Sequence, residues 1–224
     1  MKIDEYWALM AAYRSGCVFC DISPLLVVHR TENFGVCLDP APLRPGHLMV
    51  FSTDHHGCAG EVPPEHQAEL AALHDDLLRR MVADHGAVTV YEHGRAGHCL
   101  SHGPEDRFCH HFHSHFVPGD HNVEKELSER FVTVRLESHR DVADAFDKYG
   151  EYVYYERSEG DRLFFVADSG EMEPHLMRTL ISAAIGQPEL ADWSKYSSPD
   201  LLVAGLAGLR ESKGNPAEVH LARK

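Results

Sequence analysis

The residue pattern predicts a chain that mixes β-strands with α-helices. Three observations carry that expectation. Residues 109–118 alternate histidine with Phe112, Ser114 and Phe116, the period of two that belongs to a strand. Behind Pro63-Pro64, residues 64–84 place Leu70, Leu73, Leu77, Leu78 and Met81 at helical spacing. Beyond residue 121, strand-like and helix-like segments continue with no long Pro/Gly/Ser linker between the halves.

Residues 4–14 are helix-like, and Cys17-Val18-Phe19-Cys20 follows in a turn. Residues 25–29 and 34–38 form an apolar strand pair, with Glu32-Asn33 near the turn. Leu43-Arg44-Pro45-Gly46 leads into a strand over 47–51, and Val88 to Glu92 is another. Residues 93–107 are a loop rich in Gly, His and Ser that leads into the histidine strand, which stops at Pro118-Gly119-Asp120. Then come strand 131–136, helix 139–148, strands 151–156 and 162–167, and helix 173–185. The tail from about 198 holds one short helical segment, Leu201 to Arg210, with fraying expected over residues 212–216. No internal repeat is evident.

The 224 residues carry 21 Lys+Arg against 35 Asp+Glu, a net charge of −14 with histidine neutral. That balance argues against a nucleic-acid surface. It leaves room for a small phosphorylated ligand held by backbone amides and imidazoles. Of the 18 histidines, His29, His66, His74, His85, His121, His139 and His220 read as ordinary surface or core residues. Six cysteines in a chain of this length, with no basic-then-apolar leader, do not describe a disulfide scaffold. No run of about 18 apolar residues marks a membrane span. A soluble cytoplasmic chain, its thiols reduced or bound to metal, is the expectation.

The densest chemistry lies at His111, His113 and His115. On a strand their imidazoles share one face, and Phe112, Ser114 and Phe116 take the other. Imidazole titrates near neutral pH, ligates metals and acts as a nucleophile. A solvated His-rich strand and a bare metal cluster of these three are the rival readings. Cys17-x-x-Cys20 taken alone is a zinc half-site, a redox pair or a coincidence. Asp39, before Pro40, is by itself a turn residue. His175 and Arg178 lie one helical turn apart and are able to reach a ligand together; a helix start at Pro174 is an anion-site candidate. A helix that only caps the sheet is the plainer reading there.

The run His111-Phe112-His113-Ser114-His115-Phe116-Val117 resembles the signature of the histidine triad (HIT) superfamily, His-φ-His-φ-His-φ-φ with φ apolar. Ser114 departs from it. The resemblance covers residues 15–120 well and the remainder loosely. It implies an α+β fold: a HIT-like antiparallel sheet with helices on one face, forming a catalytic core over 1–121. An α/β extension over 122–224 packs on that core. It implies a nucleotidyl hydrolase or transferase acting on a nucleotide or nucleotide conjugate. His113 is the nucleophile, flanked by His111 and His115, and a nucleotidyl-histidine forms and is resolved by water or another acceptor. Phosphorylase or nucleotidylyltransferase chemistry is a second reading, and a HIT-fold nucleotide-binding or interaction protein without turnover is a third. A homodimer is the candidate assembly.

The resemblance also supplies site residues. Zinc-bearing members carry Cys-x-x-Cys, a histidine after the Gly-His strand and the first triad histidine; the matching positions are Cys17, Cys20, His55 and His111, with His56 adjacent to His55. Zinc there is structural, because four protein ligands leave no open position. Asp39, at the family's spacing from Gly46-His47, matches the aspartate that binds ribose hydroxyls. Glu92 and His93, in Glu-His-Gly as in some longer members, are candidates for substrate contact. The loop before the triad departs from the pattern: Asp106 and Arg107 stand where small phosphate-cradling residues are usual, and Arg107 is the candidate phosphate cation.

Overall fold

The computed structural model describes residues 3–13, 17–96, 110–167, 172–173, 175–193, 195–196 and 198–213. In chain order the elements are α1 (Ile3–Tyr13), β1 (Val27–Arg30), β2 (Phe34–Leu38), β3 (Leu48–Ser52), α2 (Pro64–His85), β4 (Val88–Gly94) and β5 (His113–Pro118). The second half adds α3 (Glu124–Ser128), β6 (Val132–Leu136), α4 (Asp141–Tyr149), β7 (Tyr152–Arg157), β8 (Arg162–Val166), α5 (Leu176–Ile185) and α6 (Pro199–Lys213). Short 3-10 turns occupy Ala59–Glu61 and Pro188–Ala191.

The strands form one antiparallel sheet in the order β1-β2-β3-β5-β4-β7-β8-β6. The fold is α+β, as the sequence predicts. β2 and β3 are buried along their whole length, which is why they read as continuous apolar runs. β6, the outer strand, is mostly exposed and polar on alternate residues. The second half does not stand apart: β7 pairs with β4 over six residues from Thr89↔Arg157 to Gly94↔Tyr152. That pairing draws His93 and Gly94 into β4, where the sequence predicts a loop.

Two apolar clusters cover the sheet. One joins Tyr6 and Met10 of α1, Leu70 and Leu73 of α2 and Val142 of α4 to Phe34, Phe112, Phe116 and Phe164. The other joins Leu127 of α3 and Leu176 and Ile181 of α5 to Tyr91, Val153, Tyr155 and Phe165. Phe112 and Phe116 are fully buried, each worth about 1.5–3 kcal/mol. They fix which face of β5 the histidines take.

Two expectations change. The histidine strand starts only at His113, so His111 and Phe112 precede it; the Phe112 N–H bonds His56 O at 2.6 Å instead of joining the ladder. α6 continues through Ser212 and Lys213, where fraying was expected; residues 214–216, the rest of that expectation, lie outside the described residues. α3 was not foreseen: it spans five residues and buries a single side chain, Leu127, too little for a periodic signal.

Candidate active site

β5 lies between β3 and β4, with Phe51↔His113, Met49↔His115 and Tyr91↔His115 in register. Its alternation sends Phe112 and Phe116 to the α2 side, where Phe116 meets the His74 ring at 5.2 Å. His111, His113 and His115 line one cleft on the other side. Gly35 helps shape it. A Cβ there would stand 2.3 Å from the Phe51 ring. The end of the Phe51 ring therefore packs against Gly35; the ring stacks on Phe19 at 5.5 Å, and Phe19 stacks on His113 at 4.6 Å.

His113 is held by its backbone. Its Nδ1–H donates to His111 O at 2.7 Å, which leaves the lone pair on Nε2. Burial, joined by the neighbouring His115, pushes its pKa down to about 3. At neutral pH the ring is the unprotonated form a nucleophile requires.

His115 faces the cleft with the opposite polarity. Pro45-Gly46 makes a tight turn, with Gly46 at φ 81° and His47 N–H on Arg44 O at 3.1 Å. The turn swings His47 inward, and the Leu43 N–H donates to its Nδ1 at 3.2 Å. The proton of His47 is therefore on Nε2, which donates to His115 Nδ1 at 3.0 Å. His115 then carries its own proton on Nε2. Tyr91 lies flat against this ring at 4.3 Å and 10°. Burial holds His47 and His115 down to about 4, so the pair is neutral near pH 7.

Asp39 closes this chain. Its Oδ1 accepts the Ala41 N–H at 2.8 Å, its Oδ2 accepts Arg178 Nη1 at 3.2 Å, and Oδ2 lies 3.4 Å from both His47 Nδ1 and His115 Nδ1. Burial opposes its ionisation, but His47, His115 and Arg178 together hold its carboxyl well below the usual range.

Cys17, Cys20, His55 and His111 come together as a second cluster, their ligand atoms all within 4.8 Å of one another. Sulfur–nitrogen separations are 3.3 Å for Cys17–His111, 3.2 Å for Cys20–His55 and 3.6 Å for Cys20–His111. A zinc tetrahedron with ordinary bond lengths has S···N edges of about 3.6 Å. Both imidazoles offer Nδ1 and donate the other N–H to a carbonyl: His111 to Ser52 O at 2.8 Å, His55 to His110 O at 2.9 Å. Such donations orient metal-binding histidines. The donor set is compatible with zinc. His111 thereby commits both ring nitrogens, leaving none for a ligand in the cleft.

Two other sequence-based candidates stand differently. Glu92 does not join the triad: on β4, Tyr91 and His93 face the cleft, and alternation turns Glu92 to the far side. There it accepts the Ala59 N–H at 2.8 Å and the Tyr152 hydroxyl at 3.0 Å. His93 does line the cleft, and its Nε2 accepts the Met177 N–H at 3.3 Å, tying β4 to the start of α5. Arg107, with Asp106, lies outside the described residues. The cleft also contains Phe19, Tyr91, His175, Arg178 and Trp193. Of these, the pairing of Tyr91 with His93 was readable from the period of two, and Phe19 from its place inside Cys-x-x-Cys. Trp193 left no readable signal.

Triad, strand and cleft come together in the arrangement that the resemblance to the histidine triad superfamily implies. No family model matches the chain. It is similar, at 24% identity over 204 residues, to a zinc finger CCCH domain-containing protein 59 from Oryza sativa subsp. japonica. That match takes in 80% of this chain and 31% of the relative, so the chain spans about a third of that protein's length. Among solved structures it is similar to a hypothetical histidine triad nucleotide-binding protein from Sulfolobus tokodaii strain7, at 25% identity and TM-score 0.32, covering 46% of this chain and 71% of the other. A Zn-bound histidine triad family protein from Mycobacterium smegmatis matches at 24% identity and TM-score 0.34, over 50% of this chain and 80% of the other. No helix among the described residues is long and apolar enough to cross a membrane.

Proposed function

We propose that the chain is a nucleotidyl hydrolase or transferase that works through a covalent intermediate on His113. The observation that carries this reading is the His113 Nδ1–H bond to the His111 carbonyl, which leaves a neutral Nε2 lone pair in the cleft. Nε2 attacks the α-phosphorus of a nucleoside phosphate ester, anhydride or phosphoramidate. The Nε2–P bond forms as the bond to the leaving group breaks. In this reading His115 Nε2–H donates a hydrogen bond to a phosphate oxygen or to the departing atom and keeps its proton, while the leaving amine or alkoxide takes its proton from solvent. Water, or another acceptor, then attacks phosphorus, the Nε2–P bond breaks, and the acceptor's proton passes to solvent. Each step depends on fixed imidazoles presenting one defined nitrogen.

Asp39 lines the cleft, and in this reading it shares its carboxylate with the ribose diol. A carboxylate offers about four lone-pair sites. Ala41 and Arg178 take two of them. Zinc, held by Cys17, Cys20, His55 and His111, is structural: it ties the N-terminal turn to the lead-in of β5. A pairing of two chains would use β1 or β6, because β7 covers the outer edge of β4.

Turnover of adenosine 5′-phosphoramidate by the native chain and two variants tests the proposal. His113→Asn should lose all turnover while keeping its fold and its affinity for AMP. His115→Asn should slow turnover by about 10²–10³, the usual loss on removing one donor to developing charge. Equal rates in native protein and His113→Asn would sink the mechanism.

A further inference from the structure

The cleft is incomplete without the C-terminal half, which contributes His175, Arg178 and Trp193. Arg178 is the sole lysine or arginine among the described lining residues, and it is only 6% exposed. We propose that Arg178 is a positioning residue for the triad, acting through Asp39: it balances that carboxylate and so adds to burial in keeping the His47–His115 pair neutral, with His115 Nε2–H aimed at the ligand's phosphate. This rests on reading the cleft as a phosphoryl-transfer site.

The guanidinium is a junction of three segments. Nη1 donates to Asp39 Oδ2 at 3.2 Å, and Nη2 donates to Ala41 O at 2.8 Å and Leu190 O at 3.1 Å. The chain therefore buries a carboxylate 3.4 Å from two imidazoles and sets a permanent cation against it. Without that cation, the carboxylate would stabilise a proton on one of the rings. A protonated His47 would carry a hydrogen on Nδ1, facing the Leu43 N–H that now donates to it at 3.2 Å. The Leu43 → His47 bond would break; a proton on His115 Nδ1, 3.4 Å from Asp39 Oδ2, would instead face the His47 Nε2–H, and the bond that fixes the His115 ring would be lost. Asp39 would also present an uncompensated negative charge to an anionic phosphate.

Among the described residues the charged and titratable groups around this pair come from five elements, and they include His93 of β4, which feels the charge of His115. Asp39 faces both rings from the loop after β2, His113 flanks His115 on β5, Tyr91 stacks on it from β4, and Arg178 approaches from α5. His121 adds a more distant influence on His47. Among them Asp39 and Arg178 keep their charges near neutral pH, and Arg178 is the permanent cation.

Histidine ¹⁵N NMR between pH 5 and 8 on the full chain, with phosphoramidate turnover alongside, tests the proposal. Native protein should show His47 and His115 neutral throughout, both protonated on Nε2. Arg178→Met should raise the titration of this pair by about one pH unit or more. It should also lower kcat by about tenfold or more, with a smaller change in KM. Arg178→Lys should keep both rings neutral. Asp39→Asn combined with Arg178→Met restores charge balance and should return both rings to the native tautomers. Unchanged ring protonation in Arg178→Met, or a double variant no better than the single one, would overturn the proposal. If Arg178→Met does not fold, the double variant decides. A folded double variant with neutral rings supports the role; an unfolded one shows that the bonds to Ala41 and Leu190 are what matter. Native protein without turnover would defeat the phosphoryl-transfer reading alone, since the NMR comparison does not depend on activity.

Discussion

His113 and His115 are the same residue two positions apart, and their backbones give them opposite roles. A carbonyl takes the Nδ1 proton of His113, while a second imidazole supplies a proton to Nδ1 of His115. One ring therefore presents a lone pair and the other an N–H. The identity of the three histidines was legible because a period of two forces a shared face. Their tautomers were not, since those depend on Leu43 and His47, residues 68 or more positions from His115 in the chain. Asp39 gives the residue-scale prediction. If it shares its carboxylate with the sugar diol, AMP should bind more tightly than 2′,3′-dideoxy-AMP by about 1.5–3 kcal/mol, the range for hydrogen bonds to a charged group. Isothermal titration of the two nucleotides measures the difference, and equal affinities would remove the diol from the account. Asp39→Ala should erase most of that difference.

At the scale of the element, β4 shows how alternation divides a strand between two tasks. Tyr91 and His93 serve the cleft, while Glu92 is buried behind it with Oε1 bonded and Oε2 without a partner among the described residues. Burial pushes the Glu92 pKa up to about 8, although the bonds from Ala59 and Tyr152 work the other way. Between its ordinary value of 4.5 and that figure, the unfolded chain releases this proton and the folded chain keeps it. The folded state then binds more protons, so stability falls as pH rises through this window. Glu92→Gln keeps the Oε1 acceptor and removes the titration. Its stability relative to native protein should improve from pH 5 to pH 8, by on the order of a few kcal/mol at most. Denaturant melts at the two pH values measure this, and a difference independent of pH would show that Glu92 ionises freely. β4 was legible as a strand, but the role of Glu92 was not. Its sequence neighbours Tyr91 and His93 belong to the cleft, whereas its partners Ala59 and Tyr152 lie 33 and 60 residues away.

Across the whole molecule, the extension is wired into the site. β7 continues the sheet from β4, and Arg178 reaches Asp39 across 139 residues of sequence. The alternation of strands and helices beyond residue 121 was readable, as was the absence of a linker. Arg178's destination was not, because a helical arginine looks the same whether it faces solvent or a buried carboxylate. The N-terminal turn is joined to the site by a different link. If zinc bridges Cys17, Cys20, His55 and His111, Cys17→Ser should lose the metal, and the Tm should fall by on the order of 10 °C. Metal analysis and calorimetry read the two effects together; native protein that folds fully without zinc would contradict the bridge. The central claim remains the covalent step on His113. Its most direct measurement is mass spectrometry of the chain mixed with adenosine 5′-phosphoramidate and quenched under alkaline conditions, where a phosphoramidate to histidine survives. The account predicts one acid-labile adenylyl adduct, on His113 and absent from His113→Asn. An adduct on another residue, or turnover by His113→Asn, would contradict it.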